Sequence, residues 1–127
     1  MAMILIAEDE FLLADVLGFI LEDEGHTVIK ASHGRAALAA IEKSVPDLVI
    51  TDFMMPLMTG LELALAIRAK PELERLPIIL VSGAQGKIGR EHPEAFDAVI
   101  DKPYYPEVLL KRVAELLTEG RKSKAGD

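Results

Sequence analysis

Leu48-Val49-Ile50-Thr51-Asp52-Phe53-Met54-Met55-Pro56-Leu57-Met58-Thr59-Gly60 is the stretch on which the fold turns. Four residues of strand character run into a carboxylate at Asp52. A loop punctuated by Pro56 and Gly60 follows, and a helical pattern begins at Leu61. An apolar strand ending in Asp puts that carboxylate at the C-terminal edge of a sheet, where open α/β sheets bind ligands. Alone, such an Asp reads first as a helix cap or a strand-end turn residue. Its companions elsewhere in the chain decide otherwise.

Upstream, Met3 to Ala7 is a short apolar run closed by Glu8-Asp9-Glu10. From Phe11 the apolar residues Leu13, Val16, Leu17, Ile20 and Leu21 fall at helical spacing, and Gly25 stops that helix with a left-handed cap. Thr27-Val28-Ile29 predicts a second strand. A turn at Ser32-His33-Gly34 leads to a second helix marked by Ala37, Leu38 and Ile41. Downstream of the opening stretch, Leu61, Ala64, Leu65 and Arg68 define a third helix ending before Pro71. Pro77 to Val81 is a continuous apolar strand terminated by Ser82-Gly83, and Ala98-Val99-Ile100 is a fifth strand leading to Asp101-Lys102-Pro103. A last helix runs from about Pro106 to Leu117, with Leu109, Val113 and Leu116 on one side.

Five strands alternating with helices predict an α/β fold: a doubly wound, flavodoxin-like parallel sheet of order 2-1-3-4-5 with helices on both faces. In that order the first and third strands meet at the switch point and frame a crevice. One segment fits poorly. Gly86, Gly89 and Pro93 interrupt the region where a fourth helix belongs, so that helix is expected to be short, displaced or mobile.

The 127 residues suit one domain, read as 1–119 followed by a polar tail over 120–127 that is expected to fray or to link to a further domain. The formal charge is −7 and the basic residues are scattered, apart from Arg121, Lys122 and Lys124. Both facts argue against an independent nucleic-acid binder. No apolar run approaches the ~20 residues of a membrane span. The N-terminus lacks the basic region of a signal peptide. Cysteine is absent, excluding disulfides and thiolate metal sites, and a cytoplasmic location is expected.

Given that topology, Glu8 and Asp9 follow the first strand, Asp52 ends the third, Ser82 the fourth and Lys102 the fifth. Three crowded carboxylates repel one another unless a cation lies between them, and a hard divalent ion such as Mg²⁺ is the expected solution. Lys102 adds a positive charge and Ser82 a hydroxyl. Together they form an electrostatic clamp for a phosphoryl group, with Asp52 placed to accept it. Taken singly, Glu8 is a helix cap, Ser82 a turn residue and Lys102 a solvated charge; their coincidence at the correct strand ends favours the site. His26, His33 and His92 are read as solvated turn residues, and Met54, Met55 and Met58 as gap-fillers.

Glu8-Asp9, Asp52 with Met55-Pro56 and Gly60, Ser82-Gly83 and Lys102-Pro103 together resemble the receiver domain of two-component response regulators, from about Met3 to Leu117. The resemblance implies that Asp52 takes a phosphoryl group from a histidine kinase or phosphotransfer protein. It implies that Glu8, Asp9, Asp52 and the Met54 backbone carbonyl hold Mg²⁺, and that Lys102 and Ser82 contact phosphoryl oxygens. It further implies a non-enzymatic signalling module, monomeric or weakly dimeric, that acts on an unidentified downstream protein.

Two departures stand out. Val99 occupies the position, three before Lys102, where the family usually carries an aromatic readout residue. Met54 and Ala84, two beyond Asp52 and two beyond Ser82, cannot position a water, so slow self-dephosphorylation is expected. Other readings are a receiver cut from a hybrid kinase or longer regulator, an aspartyl-phosphate phosphohydrolase and a flavin module. Met54 cannot supply the second acid a phosphohydrolase needs, and Glu8-Asp9-Glu10 would repel a flavin phosphate.

Overall fold

The computed structural model describes residues 1–121. Five parallel strands, β1 (Met3–Ala7), β2 (Thr27–Ala31), β3 (Leu48–Asp52), β4 (Ile78–Ser82) and β5 (Ala98–Asp101), form one sheet. Their order is 2-1-3-4-5, as the alternation of strand and helix patterns predicts. The connections are α1 (Phe11–Asp23), α2 (Gly34–Lys43), α3 (Gly60–Arg68) with a 3-10 turn at Pro71–Leu73, and α4 (Gly86–Arg90); α5 (Pro106–Glu119) closes the chain. The polar tail expected over 120–127 lies, beyond Arg121, outside the described residues.

Alternation along the strands sorts the core into two layers. Leu5, Ala7, Val49, Ile78 and Leu80 face α2 and α3, where Ala37, Ile41, Leu63, Ala64 and Ile67 meet them. Ile4, Ile6, Ile50, Ile79, Val81 and Ile100 face α1 and α5, against Leu17, Leu21, Leu109, Val113 and Leu116. The parallel register pairs Ala7 with Thr51, Asp52 with Val81 and Ser82 with Asp101. The C-terminal ends of four strands therefore finish along one rim.

Several local expectations shift. The buried stripe of α1 is Ala14, Leu17, Gly18 and Leu21, while Leu13 and Val16 stay substantially exposed. In α3 the buried residues are Gly60, Leu63, Ala64 and Ile67, and Leu65 turns outward. That helix starts one residue early because Thr59 caps it: the Thr59 hydroxyl accepts from the Glu62 N–H, and the Glu62 carboxylate accepts from the Thr59 N–H. Gly25 does take a left-handed conformation (φ 93°) after α1.

Helix α4 is short, at five residues, as its glycines predict. Those glycines serve the packing. A Cβ on Gly89 would press on Leu80 and Val99, and one on Gly86 would overlap the Asp101 carboxylate. The helix backbone thus lies directly on the sheet.

At the opposite rim, the Asp97 carboxylate accepts from Arg68 (3.1 Å), Arg121 (2.9 Å) and the Ile78 N–H (2.8 Å). Burial and the neighbouring Arg121 lower the Arg68 guanidinium to about 10 against the pull of Asp97, so it remains a cation at neutral pH. Arg121 also donates to the Glu74 and Glu94 carbonyls, tying the chain beyond α5 to this rim.

Candidate functional site

The residues that follow β1, close β3 and follow β5 meet at the C-terminal rim. Glu8 extends the β1–β2 pairing by donating its N–H to the Ala31 carbonyl (3.0 Å), and its carboxylate accepts from the Glu10 N–H (3.2 Å). Lys102 is placed the same way, its N–H donating to the Ser82 carbonyl (2.8 Å). From there its ammonium reaches 3.3 Å from an Asp52 oxygen and 3.5 Å from a Glu8 oxygen.

Glu8, Asp9 and Asp52 each offer a carboxylate oxygen lying within 4.8 Å of the others. This is the metal-competent cluster among the described residues, and no histidine belongs to it. Glu8 is only 8 % exposed. Burial raises its pKa, the Glu10 N–H opposes that, and the charge of Asp52 adds to it. A buried carboxylate facing two others is the donor set that a hard cation with oxygen ligands stabilises, so the residues fit Mg²⁺. Burial alone would lower the Lys102 pKa, but Asp52 and Glu8 together raise it, so Lys102 stays a firm cation.

The loop after Asp52 is held by its backbone. Gly60 donates to the Phe53 carbonyl (2.7 Å), and its α-carbon packs so closely on the Asp52 carbonyl that a Cβ would overlap it. Leu57 has a left-handed backbone (φ 72°) and an exposed side chain. Met54 is also exposed.

Ser82 is fully buried, and its hydroxyl is engaged in both directions. It donates to Gln85 Oε1 (3.1 Å) and accepts from the Gln85 N–H (2.9 Å). Gln85 is a partner that sequence reasoning missed, although Ser-x-x-Gln is the spacing of a helix-start capping box. The histidines are better partnered than solvated turn residues. His33 caps α2 by accepting from the Ala36 N–H, His26 accepts from the Ala2 N–H, and His92 contacts Glu94.

A family pattern described as the response regulator receiver domain matches residues 4–114, nearly the whole described chain and every residue of this rim cluster. The chain belongs to that family. Among similar receivers of known structure, that of a signal transduction histidine kinase from Syntrophus aciditrophicus is 30% identical. It covers 100% of this chain and 98% of its own, with a TM-score of 0.87. The chemotaxis response regulator CheY4 of Vibrio cholerae is also 30% identical, over 91% of this chain and 98% of its own, with a TM-score of 0.83. The phosphate regulon transcriptional regulatory protein PhoB of Rhizobium meliloti is 34% identical over 93% of this chain and 53% of its own length. This receiver thus spans about half the length of the first curated relatives it matches. The receiver family is a signalling family whose members interact with histidine kinases or phosphotransfer proteins. No helix among the described residues is long and apolar enough to cross a membrane.

Proposed function

We propose that this receiver domain, residues 1–119, accepts a phosphoryl group on Asp52 from a phosphohistidine of a histidine kinase or phosphotransfer protein, and signals through protein contacts. The observation that carries this reading is the Lys102 ammonium bridging Asp52 and buried Glu8 beside Asp9. Glu8, Asp9, Asp52 and the Met54 carbonyl would hold Mg²⁺, which when bound neutralises phosphate oxygens and orients donor and acceptor.

An Asp52 oxygen attacks phosphorus, the bond from phosphorus to the donor nitrogen breaks, and the electron pair leaves with the imidazole. Lys102 exchanges its pairing with Asp52 for the incoming phosphoryl oxygens, so its charge stays compensated throughout. Ser82 would serve as the second donor, and to do so its hydroxyl must turn from Gln85 Oε1. The Glu8-Asp9-Glu10 run supports the reading from another side, since its negative charge disfavours tight retention of a free phosphate without a cation.

The test is intact mass after incubation with acetyl phosphate. One added phosphoryl group, dependent on Mg²⁺ and lost in Asp52→Asn, is expected. Unchanged uptake in Asp52→Asn would overturn the assignment. A slow decay is expected as well, and faster loss from Met54→Asn than from the wild type would support it.

A further inference from the structure

Between α1 and the start of α5 lies a cavity of about 460 Å³ that opens at the acidic rim. Leu13, Val16 and Ile20 form one wall, Ile50 the floor, and Tyr104 and Pro106 the other wall. The space follows from the sequence. Pro103 and Pro106 put compact rings where α5 begins, in place of longer side chains that would reach toward α1. Leu13 and Val16 consequently remain exposed although they lie on the cavity side of α1. Polar groups enter at one end, where Glu8, Asp52 and Lys102 line the mouth. With Asp9 alongside, three carboxylates face one ammonium, and negative charge is in excess.

An apolar chamber of this size with a few convergent polar groups has the form of a small-molecule site. We infer that it binds a small cationic amphiphile, a primary alkyl- or arylalkylammonium compound whose hydrocarbon body lies between α1 and α5 and whose ammonium pairs with Glu8 and Asp52. The charge at the mouth selects the head group, because an anionic head would meet the carboxylates and a neutral one would forgo charge-assisted hydrogen bonds. The half-buried Tyr104 hydroxyl, its pKa raised by burial against the pull of Lys102, is a neutral donor and acceptor beside that head group. Such a ligand excludes a metal ion from the same carboxylates, so it would hold the domain in a form unable to take Mg²⁺. The inference shares the carboxylates with the reading above but requires neither phosphorylation nor a metal.

The probe is hexylammonium, titrated in EDTA against the isotope-labelled protein, with 1-hexanol as the neutral control. Amide shifts are expected at Leu13, Val16, Ile20 and Tyr104, with hexylammonium binding at least tenfold tighter than 1-hexanol. Free Mg²⁺ at ten times its own dissociation constant should weaken hexylammonium about elevenfold by simple competition. Val16→Trp, which narrows the cavity from a position already exposed, should weaken hexylammonium at least fivefold and leave Mg²⁺ binding unchanged; Ile20→Phe is the second such variant. Equal affinity for 1-hexanol, indifference to bound Mg²⁺, or unchanged binding in both variants would each overturn the inference. If Mg²⁺ itself does not bind, the metal reading fails, and the hexanol comparison and the two variants alone judge this one.

Discussion

Lys102 Nζ lies 3.3 Å from Asp52 Oδ1, an ion pair between residues fifty positions apart that also draws in Glu8. Because the lysine is the only positive charge in direct contact with the cluster among the described residues, Lys102→Ala should destabilise the metal-free protein. About 1–2 kcal/mol is expected, since the group is partly solvated and the carboxylates can protonate in response. Melting in EDTA should fall by roughly 4–8 °C. Millimolar Mg²⁺ should recover most of the loss, and identical melting of variant and wild type in EDTA would show that the pair contributes nothing.

Glu8 sets a pH dependence. Its folded pKa is raised, chiefly by burial, so near and above the ordinary carboxylate range the folded state holds more protons than the unfolded state. Metal-free stability should therefore decline as pH rises from about 4.5, the unfolded value, through the raised folded value. Saturating Mg²⁺ should reverse that slope, because the ion competes with the proton for the same oxygens. Glu8→Gln should flatten both profiles. Melting temperatures between pH 4 and 8, with EDTA and with Mg²⁺, check each sign.

Two glycines near the site should respond very differently. Gly60→Ala pushes a methyl into the Asp52 carbonyl, a backbone atom that cannot step aside, so a loss of about 2–3 kcal/mol is expected together with weakened Mg²⁺ binding. Gly83→Ala meets nothing within 4 Å and should be close to neutral. Urea unfolding of the two variants side by side makes the comparison.

Asp97→Ala tests the far rim. It removes the carboxylate partner of the half-buried Arg68 guanidinium, which keeps only its bonds to the Leu73, Leu76 and Ala95 carbonyls, and leaves the Ile78 N–H unpaired. A loss of about 2–3 kcal/mol is expected. Phosphoryl uptake per folded molecule should be unchanged, because Asp97 precedes β5 at the end opposite Asp52.

The sheet order and the rim cluster were legible because both depend on strong, local signals. The apolar runs ending at Ala7, Asp52, Ser82 and Asp101, joined by right-handed crossovers, leave few ways of lining up their ends, and in the simplest of these the charges come together. Which face of α1 is buried was less legible. Leu13 and Val16 match a helical period as well as Ala14 and Gly18 do, and only packing against Lys30 and Val28 of the neighbouring strand shows that the small residues turn inward. The Thr59–Glu62 capping box was readable from spacing alone but was masked by the stronger apolar start at Leu61. The engagement of Ser82 by Gln85 depends on how the chain folds back after β4, which no periodicity encodes.

Helix α4 has too few residues to sustain itself, since even favourable isolated helices need about 12–15. What retains it is the flush seating of Gly86 and Gly89 on the sheet. Amide protons at Gly89, Glu91 and His92 should consequently exchange with solvent well before those of β3 and β4. The layer next to Ser82 should thus open more readily than the central strands, and it adjoins the rim where a phosphoryl group would arrive.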